Sequence, residues 1–593
     1  MRAEISDVNA RSAQIDDPAR IVTLIEVGMR EDRKESLRRP TRRDVVMNFG
    51  RLGGFGLAVE AMNALSLVAS AQGRPTLDLP GDLGRGRSVV VIGAGLAGLC
   101  SGLLLARAGF EVTILEAATR CGGRSLTLRD GYEFAERDGP TQRAELLGQD
   151  AYFNAGPGRI PRHHHTVLEW CRRLGVALEP YIFLCESNLY QSDGFNGGAP
   201  APLGQMRYSL YGELAELLDK ASRRRALDQE LTGVDREALR HLLQAYGDLR
   251  REGEALVFAG SRRLGYRATP GGGDETGVEL PPIPLERILG SDAVDRGLFT
   301  SMAVSWQNAL LQPVGGMDMI WRALLRQEVP GGRQLRDLVR LGTPVQLLTQ
   351  DESGCALDCG AAGRIRADFC VATLAPPLFA ALAENLPAKL KEDCLALRFV
   401  AATKVGLETR RRFWETEDGI YGGISFVDAD VSQIWYPSSG FGGASGVLTA
   451  AYARGAAAGR LAALPLAERL EAARAGGEKL HPGRFRANIR AGSEVSVAWS
   501  RMPFAAGGWS REDETAETGL RGMMEHIPWK RVFVAGDAFS HLPGWQEGAL
   551  CSAELAARQI AARVAEMGRV GTLKRLPIER NRSIDENSLT NRE

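Results

Sequence analysis

"RSVVVIGAGLAGLCSGLLLARAGFEVTILEA", from Arg87 to Ala117, opens with a short apolar run, Val89 to Ile92, of the kind that forms a strand buried on both faces. Gly93, Gly95 and Gly98 then fit G-x-G-x-x-G, a helical pattern follows, Gly109 marks a turn, and a second strand pattern, Val112 to Leu115, ends in Glu116. Each residue has a physical task. Gly93 permits the tight turn, Gly95 lets backbone approach a pyrophosphate, and Gly98 lets helix and strand pack closely. The helix N-terminus offers unpaired N–H groups to phosphate, and the acid at the second strand end can accept hydrogen bonds from both ribose hydroxyls. Glycines alone are weak evidence: "GGFGLA" at Gly53 is a partial copy with no such context. With strand, turn, helix, strand and acid all in place, the stretch predicts a Rossmann-like α/β dinucleotide-binding domain, without choosing between NAD and FAD.

The rest of the chain narrows the class. Its 593 residues are 44% apolar and 25% charged, a globular profile with room for two or more interleaved domains. Lys plus Arg and Asp plus Glu both number 73, so no global field favours nucleic acid or an anionic membrane as a partner. Nine cysteines without a CxxC pair suggest neither a disulfide framework nor a zinc site. The consecutive His163, His164 and His165 point in different directions on a helix, so no metal is expected there. The segment Thr41 to Gly73 carries a twin arginine, Arg42 and Arg43, before an apolar-leaning run interrupted by Arg51 and Glu60. It reads either as a helical N-terminal extension on a cytoplasmic protein or as a degraded twin-arginine export signal.

Four further segments carry a family resemblance. "CGGRSLT" places Arg124 just past Gly122 and Gly123; "QPVGGMDMI" runs from Gln312 to Ile320, "GTPVQLL" from Gly342 to Leu348, and "VFVAGDAFSHLPGWQEGAL" from Val532 to Leu550. In this order they resemble the flavin monoamine oxidase superfamily, over a span from about Arg87 to about Arg563. The resemblance implies non-covalent FAD, the one nearby cysteine, Cys551, lying on a helix past the motif. It places Gly123 and Arg124 at the pyrophosphate and Val345 on a strand whose backbone meets the adenine. It places Asp537 at the ribityl or phosphate end, and Trp545 beside the isoalloxazine. Ala97, Gly536, Gln546 and Ala549 line the same cofactor by position. Asp537 departs from the Glu common in the family.

Within that superfamily, "GPGRIPRHHHTVLEW" (Gly156 to Trp170), "KVGLETRRRFWETEDGIYGG" (Lys404 to Gly423) with "QIWYP" (Gln433 to Pro437), and "AWSRMPFAAGGW" (Ala498 to Trp509) resemble L-amino acid oxidases. The resemblance makes Arg159 the grip on the substrate α-carboxylate, which a guanidinium fork suits. Tyr436 becomes the second carboxylate ligand, and Lys404 holds a water near flavin N5. Trp499 and Gly508 border the flavin, and Trp509 is a side-chain selector. Gly158 stands where methionine is usual and is expected to open space against the flavin. Read singly, Lys404 is a solvated strand lysine, Tyr436 a core aromatic, Trp545 a packing residue and Arg159 a surface-turn arginine, and only their joint appearance in family order favours the site reading. The implied reaction is hydride transfer from Cα to flavin N5. An imino acid then hydrolyses to a 2-oxo acid and ammonia, and O2 is reduced to H2O2. Neutral or aromatic L-amino acids are the expected substrates, because no motif sets an acidic residue beside Trp509, and a homodimer is the expected assembly. Rival readings are an L-amino acid 2-monooxygenase, a polyamine or monoamine oxidase, and a non-enzymatic flavin-fold escort.

The expected organisation interleaves domains. Residues 1–84 form the extension; 85–150, 335–380 and 525–570 the FAD-binding domain; 151–334 a helical domain with substrate-domain parts; 381–524 a substrate-binding domain with its own sheet; and 571–593 a polar, disordered tail.

Overall fold

The computed structural model describes residues 77–307, 309–510 and 531–574, with side chains of Ala309 and 568–574 left aside. The twin arginine, most of the N-terminal extension and most of the polar tail therefore lie outside the described residues; residues 77–84 are irregular and turn, and residues 571–574, expected in a disordered tail, continue the helix Gln546–Lys574.

The strand Ser88–Ile92 is buried along almost its whole length, as its unbroken apolar run requires. It pairs in parallel with Glu111–Leu115 on one side and Phe369–Ala372 on the other. Val339–Arg340 and Val532–Val534 complete a five-stranded parallel sheet, ordered Val339–Arg340, Glu111–Leu115, Ser88–Ile92, Phe369–Ala372, Val532–Val534. The order of succession reverses between Ser88–Ile92 and its neighbour Phe369–Ala372, and that switch point is where an open α/β sheet receives a ligand. The helix Leu96–Arg107 buries all its residues but Arg107. Such all-round burial needs cover on both sides. The sheet supplies one; the helix Gln546–Lys574 supplies the other, through Leu550, Ala553, Ala557 and Ile560 in the core shared with Leu99 and Leu103.

A second, seven-stranded mixed sheet runs in the order Val495–Ala498, Ala402–Thr409, Gly446–Arg454, Gln433–Trp435, Ile424–Val427, Leu189–Gln191, Ala201–Pro202. The helices Leu203–Arg223 and Gly233–Gly247 pack through a small core of Ala215, Leu243, Leu249 and Leu256. Thr232 starts the second of these helices with a reciprocal capping box to Asp235.

One expectation changes here. Val345 is not on a strand: the strand begins at Leu347, and Leu347–Gln350, Cys355–Asp358 and Arg364–Ala367 form a separate antiparallel meander. The physical reason is Pro344, which has no N–H for a ladder and biases the residue before it. The segment before Val345 is tied to the end of the second strand, where Thr343 N–H donates to the Glu116 backbone carbonyl at 2.8 Å.

Candidate active site

At the switch point the glycines divide by what surrounds them. A Cβ on Gly93 would lie 2.6 Å from Thr373 Oγ1, and one on Gly98 would lie 1.9 Å from the Gly93 carbonyl. Gly93 also has φ of +101°, a conformation side chains disfavour. Gly95 is different: a Cβ there would meet nothing within 4 Å. That open face, with Gly95 as the N-cap of a helix lacking any side-chain cap, leaves the first-turn N–H groups of Leu96, Ala97 and Gly98 facing a cradle. Glu116 is buried and held by the N–H groups of Ala94 and Ala118, at 2.7 and 2.9 Å. Across the cradle Arg124 donates to the Gly508 carbonyl at 2.9 Å and is ion-paired with Asp537, which also accepts from Gly544 N–H. Gly123, at φ +53°, sets the turn before Arg124, and Gly536, at φ +132°, the turn before Asp537. Gln546 donates to Ser125 Oγ, its own carbonyl oxygen is buried without a partner, and Ala549 lies one helical turn on. These residues fit a dinucleotide such as FAD: an open face at a helix N-terminus, a cation, and an orphaned buried acceptor.

Arg159 answers differently. It is 8% exposed, forms no ion pair with a carboxylate among the described residues, and its buried Nε has no hydrogen-bond partner. Its guanidinium carbon lies 4.2 Å from the Trp306 ring centre, 4.7 Å from Trp435, 5.2 Å from Phe183 and 5.8 Å from Tyr181. Burial lowers its proton affinity below the ordinary arginine value. Cation–π contacts offset only part of that cost.

Lys404 is the second buried cation. Its Nζ donates to the carbonyls of Asn154 and Gly156 at 3.0 and 2.6 Å, and lies 4.5 Å from the Trp435 ring centre and 5.2 Å from Tyr452. Burial first, then the nearby Arg159 charge, brings its pKa down to about 7. The solvated-lysine alternative is excluded by its 3% exposure.

Tyr436 requires a correction. Successive strand residues face opposite sides of a sheet. Trp435 faces Arg159, so Tyr436 turns to the far side, where its hydroxyl meets Ser425 Oγ at 3.0 Å and His481 Nε2 at 2.7 Å. Tyr436 is a core residue, not a carboxylate ligand beside Arg159. The tyrosine on the site's face is Tyr452, directly opposite Lys404 in register and in edge contact with Trp435 at 4.6 Å. Gly158 also differs from expectation. A Cβ there would lie 2.9 Å from the Trp435 ring, so the space vacated by a side chain is filled by that indole.

The remaining aromatics close the site. Trp499 Nε1 donates to the Ala155 carbonyl at 2.9 Å, bracing the segment before Arg159. Trp545 contacts Trp306 at 5.4 Å and the buried His164 at 4.8 Å between ring centres. His164 precedes the helix His165–Leu174, and burial lowers its pKa to about 4. Trp509 and Tyr452 both line a neighbouring cleft of about 810 Å³, which also holds Asp295, an acid that no motif places beside Trp509. Cys551 lies on the helix Gln546–Lys574 with its Sγ 3.1 Å from Thr166 Oγ1. Sequence reasoning missed Tyr181, Phe183, Trp306 and Tyr452, whereas the triple histidine reads as a helix start near the pocket entrance and His164 does cap a helix beside Trp545. None of the missed residues had a local signal: Tyr452 lies beyond a bulge at Ala450, where the ladder passes from Gly406 opposite Thr449 to Val405 opposite Ala451 and the odd–even alternation of the strand breaks.

Among the described residues no helix is long and apolar enough to cross a membrane, and no group of three or more His, Cys, Asp or Glu is placed to hold a metal.

Comparison with known proteins identifies the family and the fold. An L-amino-acid oxidase of Mus musculus is 27% identical over 493 residues, covering 80% of this chain and 70% of that protein. One of Siganus canaliculatus is 28% identical over 499 residues, covering 80% and 85%. Among solved structures, cyclohexylamine oxidase from Brevibacterium oxydans superposes with a TM-score of 0.52 at 19% identity, over 82% of this chain and all of that one. A putrescine oxidase bound to putrescine superposes at 0.51 and 17% identity, over 80% and 99%. At such identities these two speak for the fold alone. Residues 96–561 match the family described as flavin containing amine oxidoreductase, most of the chain, from the helix that follows Gly95 through Glu116, Arg124 and Arg159 to Asp537 and Gln546. The chain therefore belongs to the flavin-containing amine oxidoreductase family and is an FAD-dependent enzyme.

Proposed function

We propose that the enzyme oxidatively deaminates L-α-amino acids to 2-oxo acids, releasing ammonia and H2O2. The observation that carries this reading is Arg159: a buried guanidinium with no acid of its own, beside a second buried cation. An amine substrate lacking a carboxylate would leave that charge uncompensated, whereas an α-carboxylate completes it bidentately. The names of the relatives support the same substrate class.

The chain's own residues then have defined tasks. Arg159 holds the carboxylate, and the walls of Trp306 and Trp435 exclude water and orient Cα. The Arg159 charge disfavours a substrate ammonium, so the amine loses its proton more readily. Lys404 is suited to take it. In the neutral form its two N–H groups are committed to the Asn154 and Gly156 carbonyls, leaving the Nζ lone pair as acceptor. FAD, when bound by the cradle from Gly93 to Arg124, Asp537 and Gln546, supplies the acceptor for the Cα hydride and returns the electrons to O2.

The test is a screen of the twenty L-amino acids for H2O2, ammonia and 2-oxo acid, each paired with its decarboxylated amine. Amino acids should be oxidised and their amines should not. Equal turnover of the amines would overturn the role of Arg159. Amide and CO2 in place of ammonia and 2-oxo acid would reassign the enzyme to 2-monooxygenation.

A further inference from the structure

The cleft beside Tyr452 carries charge that the reaction as proposed does not use. Three arginines line it: Arg296, Arg398 and Arg454. Arg296 is spent within the fold, on Asp292 at 2.5 Å and Asp428 at 2.7 Å. Arg398 and Arg454 form no ion pair with a carboxylate among the described residues, and the only acid among the residues lining the cleft is Asp295. Two uncommitted guanidiniums thus face one carboxylate. The cleft also adjoins the Arg159 box. Tyr452 lines it, touches Trp435 in the box, and lies 6.0 Å from the Arg454 guanidinium carbon by its ring centre. The charges of Arg159 and Arg454 both act on the Tyr452 phenol. Trp509 forms part of the wall.

We propose that this cleft is the side-chain subsite and that Arg454 and Arg398 select an anionic side chain, the carboxylate of L-glutamate or L-aspartate. The inference rests on the reading of Arg159 as the α-carboxylate site and adds the identity of the other end of the substrate. A dicarboxylic amino acid places one carboxylate on the buried cation and the second on the two at the cleft, with Tyr452 and Trp509 along its methylenes. Uncharged isosteres leave the two arginines hydrated but unused, so discrimination arises as a difference in binding. It departs from the apolar preference that Trp509 alone implies. Both arginines are solvent-exposed, so the effect is screened by salt.

The test compares kcat/KM for L-Glu against L-Gln and L-Asp against L-Asn, in the holoenzyme and in Arg454→Gln, Arg398→Gln and the double variant. The acid-to-amide ratio should exceed about fivefold at low ionic strength, shrink in high salt, and fall towards one in the double variant. Flavin absorbance should stay at the wild-type level in all three, which separates this subsite from the cofactor cradle. A ratio near one in the wild-type enzyme, with other L-amino acids turned over, overturns the inference but leaves the proposed reaction standing. So does a ratio untouched by either substitution, or a preference for L-Lys, which would assign the cleft to Asp295. Oxidation of amines but of no amino acid removes the underlying reading and this one with it.

Discussion

Arg124 and Arg159 are both cations expected to face a ligand, and the fold treats them in opposite ways. Arg124 is a third exposed and already has an acid, Asp537, and a carbonyl, Gly508, so its position is built whether or not a ligand is present. Arg159 is buried among four aromatic rings and has no acid. A paired charge serves the scaffold as well as the ligand. A buried charge left unpaired costs stability, and its compensation has to come from what binds. The cofactor region is thus pre-assembled by internal partners, while the Arg159 region holds a charge that no carboxylate among the described residues compensates.

The largest expected effect tests the pre-assembled half. Gly98→Ala drives a methyl into the Gly93 carbonyl, with backbone on both sides and nothing able to yield. It should destabilise the protein by at least about 1–3 kcal/mol and abolish flavin binding, read by thermal melting and visible absorbance. Gly95→Ala has open space, so the apo-protein should melt as the wild type does while FAD binds more weakly. Equal melting losses in both variants would show that the cradle is not open at Gly95.

Arg159→Met tests the uncompensated half. It should lower kcat/KM for amino acids by about thirty-fold to several-thousand-fold, corresponding to about 2–5 kcal/mol, while flavin content is retained. Without ligand the variant should be no less stable than the wild type, because it removes an uncompensated charge. Arg124→Met should do the reverse and lose flavin. Flavin loss in Arg159→Met would erase the distinction between the two arginines.

A smaller effect concerns pH. Lys404 titrates at about 7 in the fold against an ordinary value of 10.5, burial being the main cause. Between those values the unfolded chain binds the extra proton, so this lysine makes stability rise with pH across the window; below about 7 both states are protonated and the contribution is constant. Lys404→Met should therefore flatten the melting temperature against pH between about 7 and 10. An unchanged profile would mean that Lys404 stays charged in the folded protein.

The smallest expected effect on turnover comes from Tyr436→Phe. Its hydroxyl serves Ser425 and His481 on the far face, so kcat/KM should stay within about threefold while stability falls by about 1–3 kcal/mol. A marked rise in KM for amino acids, with unaltered melting, would return Tyr436 to the substrate.

What was legible in the sequence was whatever depends on local spacing. The first strand, the helix after Gly95 and the acid at Glu116 are consecutive in the chain, and each constrains its neighbours through turn geometry and burial, so the dinucleotide fold could be read directly. Family order added Arg124, Asp537, Arg159 and Lys404 as candidates, and the tertiary structure decided their surroundings. No local pattern pairs Arg124 with Asp537 across 413 residues, brings Trp306 over Arg159, or aligns Lys404 with Tyr452. Tyr436 shows the limit most directly. A family position names a residue, but the pleat of a strand decides which of two adjacent side chains faces the site, and a one-residue difference moves the group to the opposite side of the sheet. The chain order determined which residues are available; sheet register and packing determined which of them meet, because side-chain direction and charge partners are set by contacts between segments far apart in sequence.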